Sequence, residues 1–239
     1  MPETLFIADL HLDPQQPAIF NLALKFFSTR ARQADTLYIL GDLFELWLGD
    51  DDDESGYQPI LTALRELTEH SISIFIMHGN RDFLLNQQFA QQTGCQLLPD
   101  AHVTHLYSVP TLLMHGDTLC TLDIEYQAFR QQVRNPQWQQ QFLAQPLAQR
   151  RLMAQQARHY SQTKQQTNII MDVTPTAVIT TMAEYQVNQL IHGHIHQPAC
   201  HKLTIKEHQA TRWVVGDWRE GGAKILSCQP KQCQLIDFS

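Results

Sequence analysis

Five short patches in this 239-residue chain carry metal-ligand side chains at close spacing: Asp9-x-His11, Gly41-Asp42, Gly79-Asn80-Arg81-Asp82, His115-Gly116-Asp117 and Gly193-His194-x-His196. Oxygen and imidazole donors without a thiolate suit Mn, Fe, Co or Mg better than a structural zinc. On an extended segment, side chains at i and i+2 point the same way, so Asp9 and His11 are expected to share one ion, as are His194 and His196. The glycines at 41, 79, 116 and 193 are expected to supply the tight turns that bring backbone and ligands together. A lone Asp-x-His or Gly-Asp is ordinary turn chemistry. Five such patches point to a metal centre. Metal-bound histidines need an acceptor on their second nitrogen, and Asp82 and Asp117 are assigned that orienting task. Glu45 and Trp47 serve it too or simply pack, and His78 and His192 read as core or supporting residues.

The elements that must position these patches are short apolar runs, each ending where a patch begins: 4–8, 36–40, 73–77, 111–114 and 189–191. Runs of this length bounded by Gly or Asp are buried strands. The early ones alternate with helical stretches at 18–33 and 58–70, the βαβ pattern of a largely parallel sheet whose ligands sit at the carboxyl ends of the strands. After Gln197 come short strands at 199–205, 212–215, 223–226 and 234–238, antiparallel from Arg212 onwards. Residues 121–168 break the rhythm: the pairs Phe129/Val133, Trp138/Phe142 and Leu143/Leu147 have helical spacing, and Pro136 and Pro146 cut the segment into three helices. One domain, 1–239, with a helical insertion at 121–168, is therefore expected, the insertion keeping an exposed apolar face.

Composition narrows the classes. Apolar residues make up 43% and charged residues 17%, and no apolar run exceeds four residues, which excludes a disordered chain, a coiled coil and an apolar membrane-spanning helix. The start MPETLFIADLH has no basic region before an apolar stretch, so a cytoplasmic location is expected. The net charge of -7 divides into +4 on residues 121–168 and -11 elsewhere. An acidic body disfavours nucleic acid, whereas a local basic segment suits a phosphorylated ligand, an anionic membrane surface or a solvated helix face. Asp50 to Glu54 reads as a solvated acidic turn. The five cysteines are an odd set without a CxxC pair and read as buried or incidental thiols rather than a disulfide framework.

The ordered set Asp-x-His, Gly-Asp, Gly-Asn-Arg-Asp, His-Gly-Asp and Gly-His-x-His resembles the calcineurin-like metallophosphoesterases, dinuclear-metal enzymes. The resemblance implies an α/β fold, a four-layered α/β/β/α sandwich with mixed sheets, here with a helical lid insertion. More narrowly, LFIADLHL, LYILGDLFELWLGDDD, HGNRDFLL, MHGDTLC and LIHGHIHQPA resemble the manganese-dependent pyrophosphatases of the Gram-negative lipid A pathway that act on a UDP-linked acylated glucosamine. By that resemblance Asp9, His11, Asp42 and His196 hold one Mn2+, and Asp42, Asn80, His115 and His194 the other, with Asp42 bridging. It further implies ligand contacts from Asn80, Arg81, Asp123, Ser161, Lys164, Gln165, Asn168 and His194, and peripheral association with the cytoplasmic face of the inner membrane. No nucleic-acid partner and a monomeric state complete the expectation.

The residues support the chemistry on their own terms. Two divalent ions, two carboxylates and neutral histidines would leave about two positive charges for a phosphoryl group, and the ions would lower the pKa of a water towards roughly 7, so direct hydrolysis without a phosphoenzyme is expected. Asp42, Asn80, Arg81 and His115 are the expected catalytic residues. Arg81 stands where many relatives have a histidine. A fixed guanidinium cannot act as a general acid, but a pyrophosphate releases a phosphate monoester with a second pKa of about 6 and hardly needs one. The alternative is that Arg81 pairs with Asp82. Another dinuclear-metal phosphodiesterase or phosphatase, or a scaffold without activity, are the competing functions.

Overall fold

The computed structural model describes residues 2–53, 55–165 and 172–239, with the side chains of 158–165 outside that description. The strands are β1 (Thr4–Ile7), β2 (Thr36–Leu40), β3 (Ser73–Met77), β4 (Gln96–Leu98), β5 (Ala101–Leu106), β6 (Val109–Met114), β7 (Gln189–His192), β8 (Ala199–Ile205), β9 (His208–Val214), β10 (Trp218–Arg219), β11 (Gly222–Gln229) and β12 (Gln232–Phe238). The helices are α1 (Pro17–Ser28), α2 (Gln58–Glu69), α3 (Gln87–Thr93), α4 (Ile124–Val133), α5 (Pro136–Leu143), α6 (Leu147–Gln165) and α7 (Pro175–Glu184). One sheet runs β10-β11-β1-β2-β3-β4 with β12 on β11, and the other runs β5-β6-β7-β9-β8. β1 to β4 are mutually parallel, as are β6, β7 and β9.

Strand alternation builds the layers. Leu5, Ile7, Leu37, Ile39, Ile74 and Ile76 face α1 and α2 in one core, with Phe26, Phe27, Leu61 and Leu64. The alternate residues Phe6, Ala8, Tyr38, Leu40 and Met77 meet Leu113, Ile191 and Val215 between the two sheets. Leu112, Met114 and Leu190 pack with Val178 and Met182 of α7. The result is the expected α/β/β/α sandwich, and strands covered on both faces explain the uninterrupted apolar runs.

Other expectations are corrected. The first helix stops at Ser28, with a separate 3-10 turn at Ala31–Gln33. β9 starts at His208 and is antiparallel to β8 but parallel to β7. Cys228 and Cys233 face each other across β11 and β12 and form a disulfide, because the hairpin turn between them places them in direct register. Cys95 and Cys120 are buried thiols pushed up to about 12 by burial, and Cys200 is an exposed thiol.

α4, α5 and α6 fall where the two prolines divide the chain: Pro136 opens α5 and Pro146 precedes α6. Four of the segment's six basic residues are paired within the molecule. Arg130 pairs with Asp117 and Asp100, Arg134 with Asp100, Arg150 with Asp51 and Arg151 with Asp52. The acidic turn is exposed at Asp51 and Asp53, as expected, but it is also an anchor: Asp50 accepts the backbone N–H of Asn86 and Phe89, at 3.2 and 2.8 Å, before and within α3. Its last residue, Glu54, lies outside the described residues.

Candidate metal centre

The turns after β1, β2, β3, β6 and β7 bring Asp9, His11, Asp42, Asn80, His115, His194 and His196 to one place. Asp42 Oδ2 lies 3.6 Å from His11 Nε2 and 3.6 Å from His115 Nε2. Asn80 Oδ1 sits 3.0 Å from both His115 Nε2 and His194 Nδ1. His11 Nε2 and His196 Nε2 face each other at 3.3 Å. Donor atoms of Asp9, His11 and His196, and of Asp9, Asp42 and His115, each fall within 4.8 Å of one another.

The backbone reaches this arrangement in an unexpected way. Asp9, His11, Asp42, His194 and His196 have φ of 56°, 48°, 52°, 74° and 52°. The Asp-x-His and His-x-His pairs therefore converge through left-handed turns, not through the same-face alternation of an extended strand. Asp, Asn and His tolerate this region better than other side chains, yet each such residue costs roughly 1–3 kcal/mol. Five together mark a site where geometry is held against local preference.

Electrostatics fit a divalent cation. Asp9 is 2% exposed; its Oδ2 accepts the His194 N–H at 2.8 Å, while Oδ1 is buried without a hydrogen bond. Burial and the Asp42 carboxylate push Asp9 well above the usual carboxylate range, and burial raises Asp42 as well. Burial, then neighbouring imidazoles, lowers His194 and His196 to about 4, leaving lone pairs free at neutral pH. Burial lowers His115 too. On His11 burial is outweighed by the Glu45 hydrogen bond and the Asp42 and Asp9 charges, which lift it to about 9. An orphaned carboxylate oxygen, crowded acids and neutral imidazoles are the environment that a bound cation relieves.

The supporting groups differ in part from those expected: Glu45 takes the orienting task, whereas Asp82 does not. Asp82 accepts backbone N–H groups of Gly79, Leu43, Phe44 and Asp42, at 2.8, 2.8, 3.4 and 3.3 Å, and so ties two ligand turns together instead of orienting a histidine. Asp117 accepts Tyr126 Oη–H at 2.5 Å and Arg130 Nε–H at 2.7 Å. Burial disfavours its charge, but His115, Arg130 and Tyr126 hold the carboxyl well below the usual range. The partners of two candidate ligand histidines are Glu45, 2.7 Å from His11 Nδ1, and the Leu40 carbonyl, 2.8 Å from His115 Nδ1. Tyr126 also stacks on His194, with centroids 6.0 Å apart. Trp47 donates its indole N–H to Asp50. His78 bonds the Leu85 carbonyl and His192 the Gly193 carbonyl, both as supporting residues.

The family model of calcineurin-like phosphoesterases matches residues 3–198. The chain belongs to that family. It is 49% identical over 221 residues to a UDP-2,3-diacylglucosamine hydrolase of Cellvibrio japonicus, covering 92% of each chain. It is also 49% identical over 231 residues to one of Xanthomonas oryzae, covering 93% of this chain and 94% of that one. Among solved structures, an archaeal phosphodiesterase matches with a TM-score of 0.51 at 11% identity over 99% of both chains, a likeness of fold alone.

Within this phosphoesterase centre Arg81 does not pair with Asp82, whose oxygens are taken by backbone. Its own N–H donates to Asp42 Oδ1 at 2.7 Å, and its buried Nε has no hydrogen-bond partner. Asp123 is the N-cap of α4, accepting the Tyr126 N–H at 3.0 Å. The side chains of Ser161, Lys164 and Gln165, and all of Asn168, lie outside the described residues.

Gly216 was missed by sequence reasoning. It follows β9 with φ of 93°, and a Cβ there would stand 2.1 Å from Asp9 Oδ2. The signal was present, since Val214-Val215-Gly216-Asp217 repeats the apolar-strand-then-Gly-Asp form of the second patch. Gly216→Ala is expected to destabilise the protein by roughly 1–3 kcal/mol and to weaken metal binding by displacing Asp9. Thermal melts with and without manganese check both effects; an unchanged manganese-induced shift would show that Asp9 holds its place.

Proposed function

We propose that the protein hydrolyses the pyrophosphate of UDP-2,3-diacylglucosamine to UMP and 2,3-diacylglucosamine 1-phosphate, using two manganese ions, in lipid A biosynthesis. The observation that carries this reading is the convergence of seven ligand-type side chains, Asp42 among them, in a chain that matches UDP-2,3-diacylglucosamine hydrolases over nine-tenths of its length. Asp9, His11, Asp42 and His196 would hold one ion, and Asp42, Asn80, His115 and His194 the other. When bound, such ions supply Lewis acidity and bring the pKa of a water towards neutrality.

The chain's own residues do the remaining work. Asp42 is fixed by the Arg81 N–H on one oxygen and leaves the other towards His11 and His115. Asn80 adds an acceptor without adding charge, so the site stays positive towards a pyrophosphate. Arg81 carries its permanent charge beside Asp42 and neutralises the departing phosphate monoester, which leaves without needing a proton. Asp123, Ser161, Lys164, Gln165 and Asn168 are proposed to contact the nucleotide sugar.

The helical insertion is proposed as a lid for the acyl chains. Leu122, Ile124, Phe129, Leu152 and Met153 are exposed on it or at its start, an apolar surface that suits an acylated substrate. No described helix is long and apolar enough to cross a membrane. Peripheral contact with the cytoplasmic face of the inner membrane, by a monomer, would rest on that apolar surface more than on arginines already paired within the protein.

Hydrolysis with manganese in water enriched in heavy oxygen tests the reading. Label in UMP is expected, from attack at the α-phosphorus. Label only in the lipid phosphate would overturn the attack geometry. Cleavage of model diesters without turnover of UDP-2,3-diacylglucosamine would make the protein a different metal-dependent phosphodiesterase.

A further inference from the structure

The turn that carries Asn80 and Arg81 is held from outside by the helical segment. Within the centre the Gly79 N–H goes to Asp82 and the Arg81 N–H to Asp42. The Gly79 carbonyl instead points to the helical segment and accepts a hydrogen bond from Arg134 Nη2 at 2.8 Å, from 55 residues away in sequence. Arg134 is the C-cap of α4, and its guanidinium also reaches Asp100 at 3.1 Å and lies over the Phe83 ring, 5.7 Å from its centroid. Its side chain is 14% exposed, whereas Asp100 is 44% exposed.

We propose that Arg134 is a positioning residue: by fixing the Gly79–Asn80 peptide, it sets Asn80 between His115 and His194 and couples the helical segment to the metal centre. The Gly79 carbonyl belongs to the peptide that leads into Asn80, so rotation of that peptide swings the Asn80 Cα and with it the Oδ1 that sits 3.0 Å from both histidines. The turn has little other freedom to absorb such a rotation, because a Cβ at Gly79 would already meet Asp42 Oδ1 at 2.0 Å. Arg130 braces the same region, donating to Asp117 beside the His115 turn and to Asp100. The two hydrogen bonds of Arg134 are unequal in consequence. The Asp100 pair is half in solvent and contributes little, whereas the carbonyl bond is a charge-assisted contact in a protected site.

This inference rests on the metal-centre reading but not on the lipid substrate, so its test uses a soluble model diester and manganese. Arg134→Met is expected to lower kcat about tenfold, as loss of a partner that orients a ligand does, with KM for the diester little changed. It should also raise the manganese concentration at which the melting temperature climbs, with the metal-free protein still folded. Arg134→Lys, a compact charge in place of a fork, should regain part of kcat. Asp100→Asn, which weakens the ion pairs with both Arg134 and Arg130 and spares the carbonyl bond, should retain wild-type kcat and manganese response. A wild-type kcat in Arg134→Met overturns the proposal, as does a kcat loss that Asp100→Asn matches, since Arg134 would then only hold α4 in place. Should Arg134→Met not fold, Arg134→Lys and Asp100→Asn decide by the same comparison. Failure of the metal-centre reading would appear in the wild type, which would neither cleave the diester nor melt higher with manganese.

Discussion

Asp42→Asn is expected to abolish most activity while making the metal-free protein more stable. Asp42 is 1% exposed, faces His11 and His115 at 3.6 Å through one oxygen and is close enough to Asp9 and Asp82 for their charges to repel it. Burial raises its pKa. A carboxyl whose folded pKa lies above its unfolded value destabilises the fold once pH rises past the unfolded value, and asparagine behaves like the protonated form. The amide still offers an oxygen to the Arg81 N–H, so the turn is retained. Stability is expected to rise by about 1–2 kcal/mol, in the range of active-site charge removals. Activity depends on the missing charge: removing about 4 kcal/mol of transition-state stabilisation corresponds to about a thousandfold loss in turnover. Calorimetry of the metal-free protein and turnover of a model diester check the pair of effects. A fall in both would mean that Asp42 serves chiefly to hold the Arg81 turn.

That opposition between stability and function explains which parts of the site could be read from sequence. The strands that lead into the ligand patches were legible because both their faces are largely covered, leaving apolar runs with no other reading, and the patches were legible because each run stops at one. The means of convergence were not. An Asp-x-His pair looks the same whether its backbone is extended or left-handed, and here both residues have positive φ. Glu45 was a candidate partner because it follows the Gly-Asp turn, and it meets His11 from 34 residues away, but the partner of His115 was hidden, since it is a backbone carbonyl where Asp82 and Asp117 were expected. Backbone acceptors leave no mark on side-chain identity. The run Asp50 to Glu54 looked solvated because the arginines it meets are 99 residues away. The disulfide was legible in principle, as Cys228 and Cys233 flank Pro230 and Lys231 at a hairpin turn. β4 and α3 are three and seven residues long, too short for periodicity to declare them.

Arg150→Met is expected to impair turnover of the acylated substrate far more than turnover of a small diester. Arg150 is 2% exposed and lies on α6, yet its guanidinium reaches the loop after β2: Nη1 donates to the Leu48 carbonyl and to Asp51, and Nη2 donates to Asp51, while Nε donates to the Gln145 carbonyl just before α6. Methionine fills much of the same volume but leaves the buried Leu48 carbonyl without its charged donor, a loss of roughly 1.5–3 kcal/mol. Asp51 is 57% exposed and regains water when unpaired, so Asp51→Asn should cost less, and a double-mutant cycle on the two reads their coupling directly. None of these contacts touches a ligand turn, in contrast to those of Arg130 and Arg134 at the other end of the segment. Small-diester hydrolysis should therefore stay within about threefold of wild type, while lipid-substrate turnover falls by about tenfold or more as α6 loses its anchor. Loss of both activities would mean that the anchor on the loop after β2 also sets the metal centre, through Glu45 and His11. Because Arg150 is already paired inside the protein, its removal should leave binding to anionic vesicles unchanged; weaker binding would place its charge at the membrane rather than on Asp51.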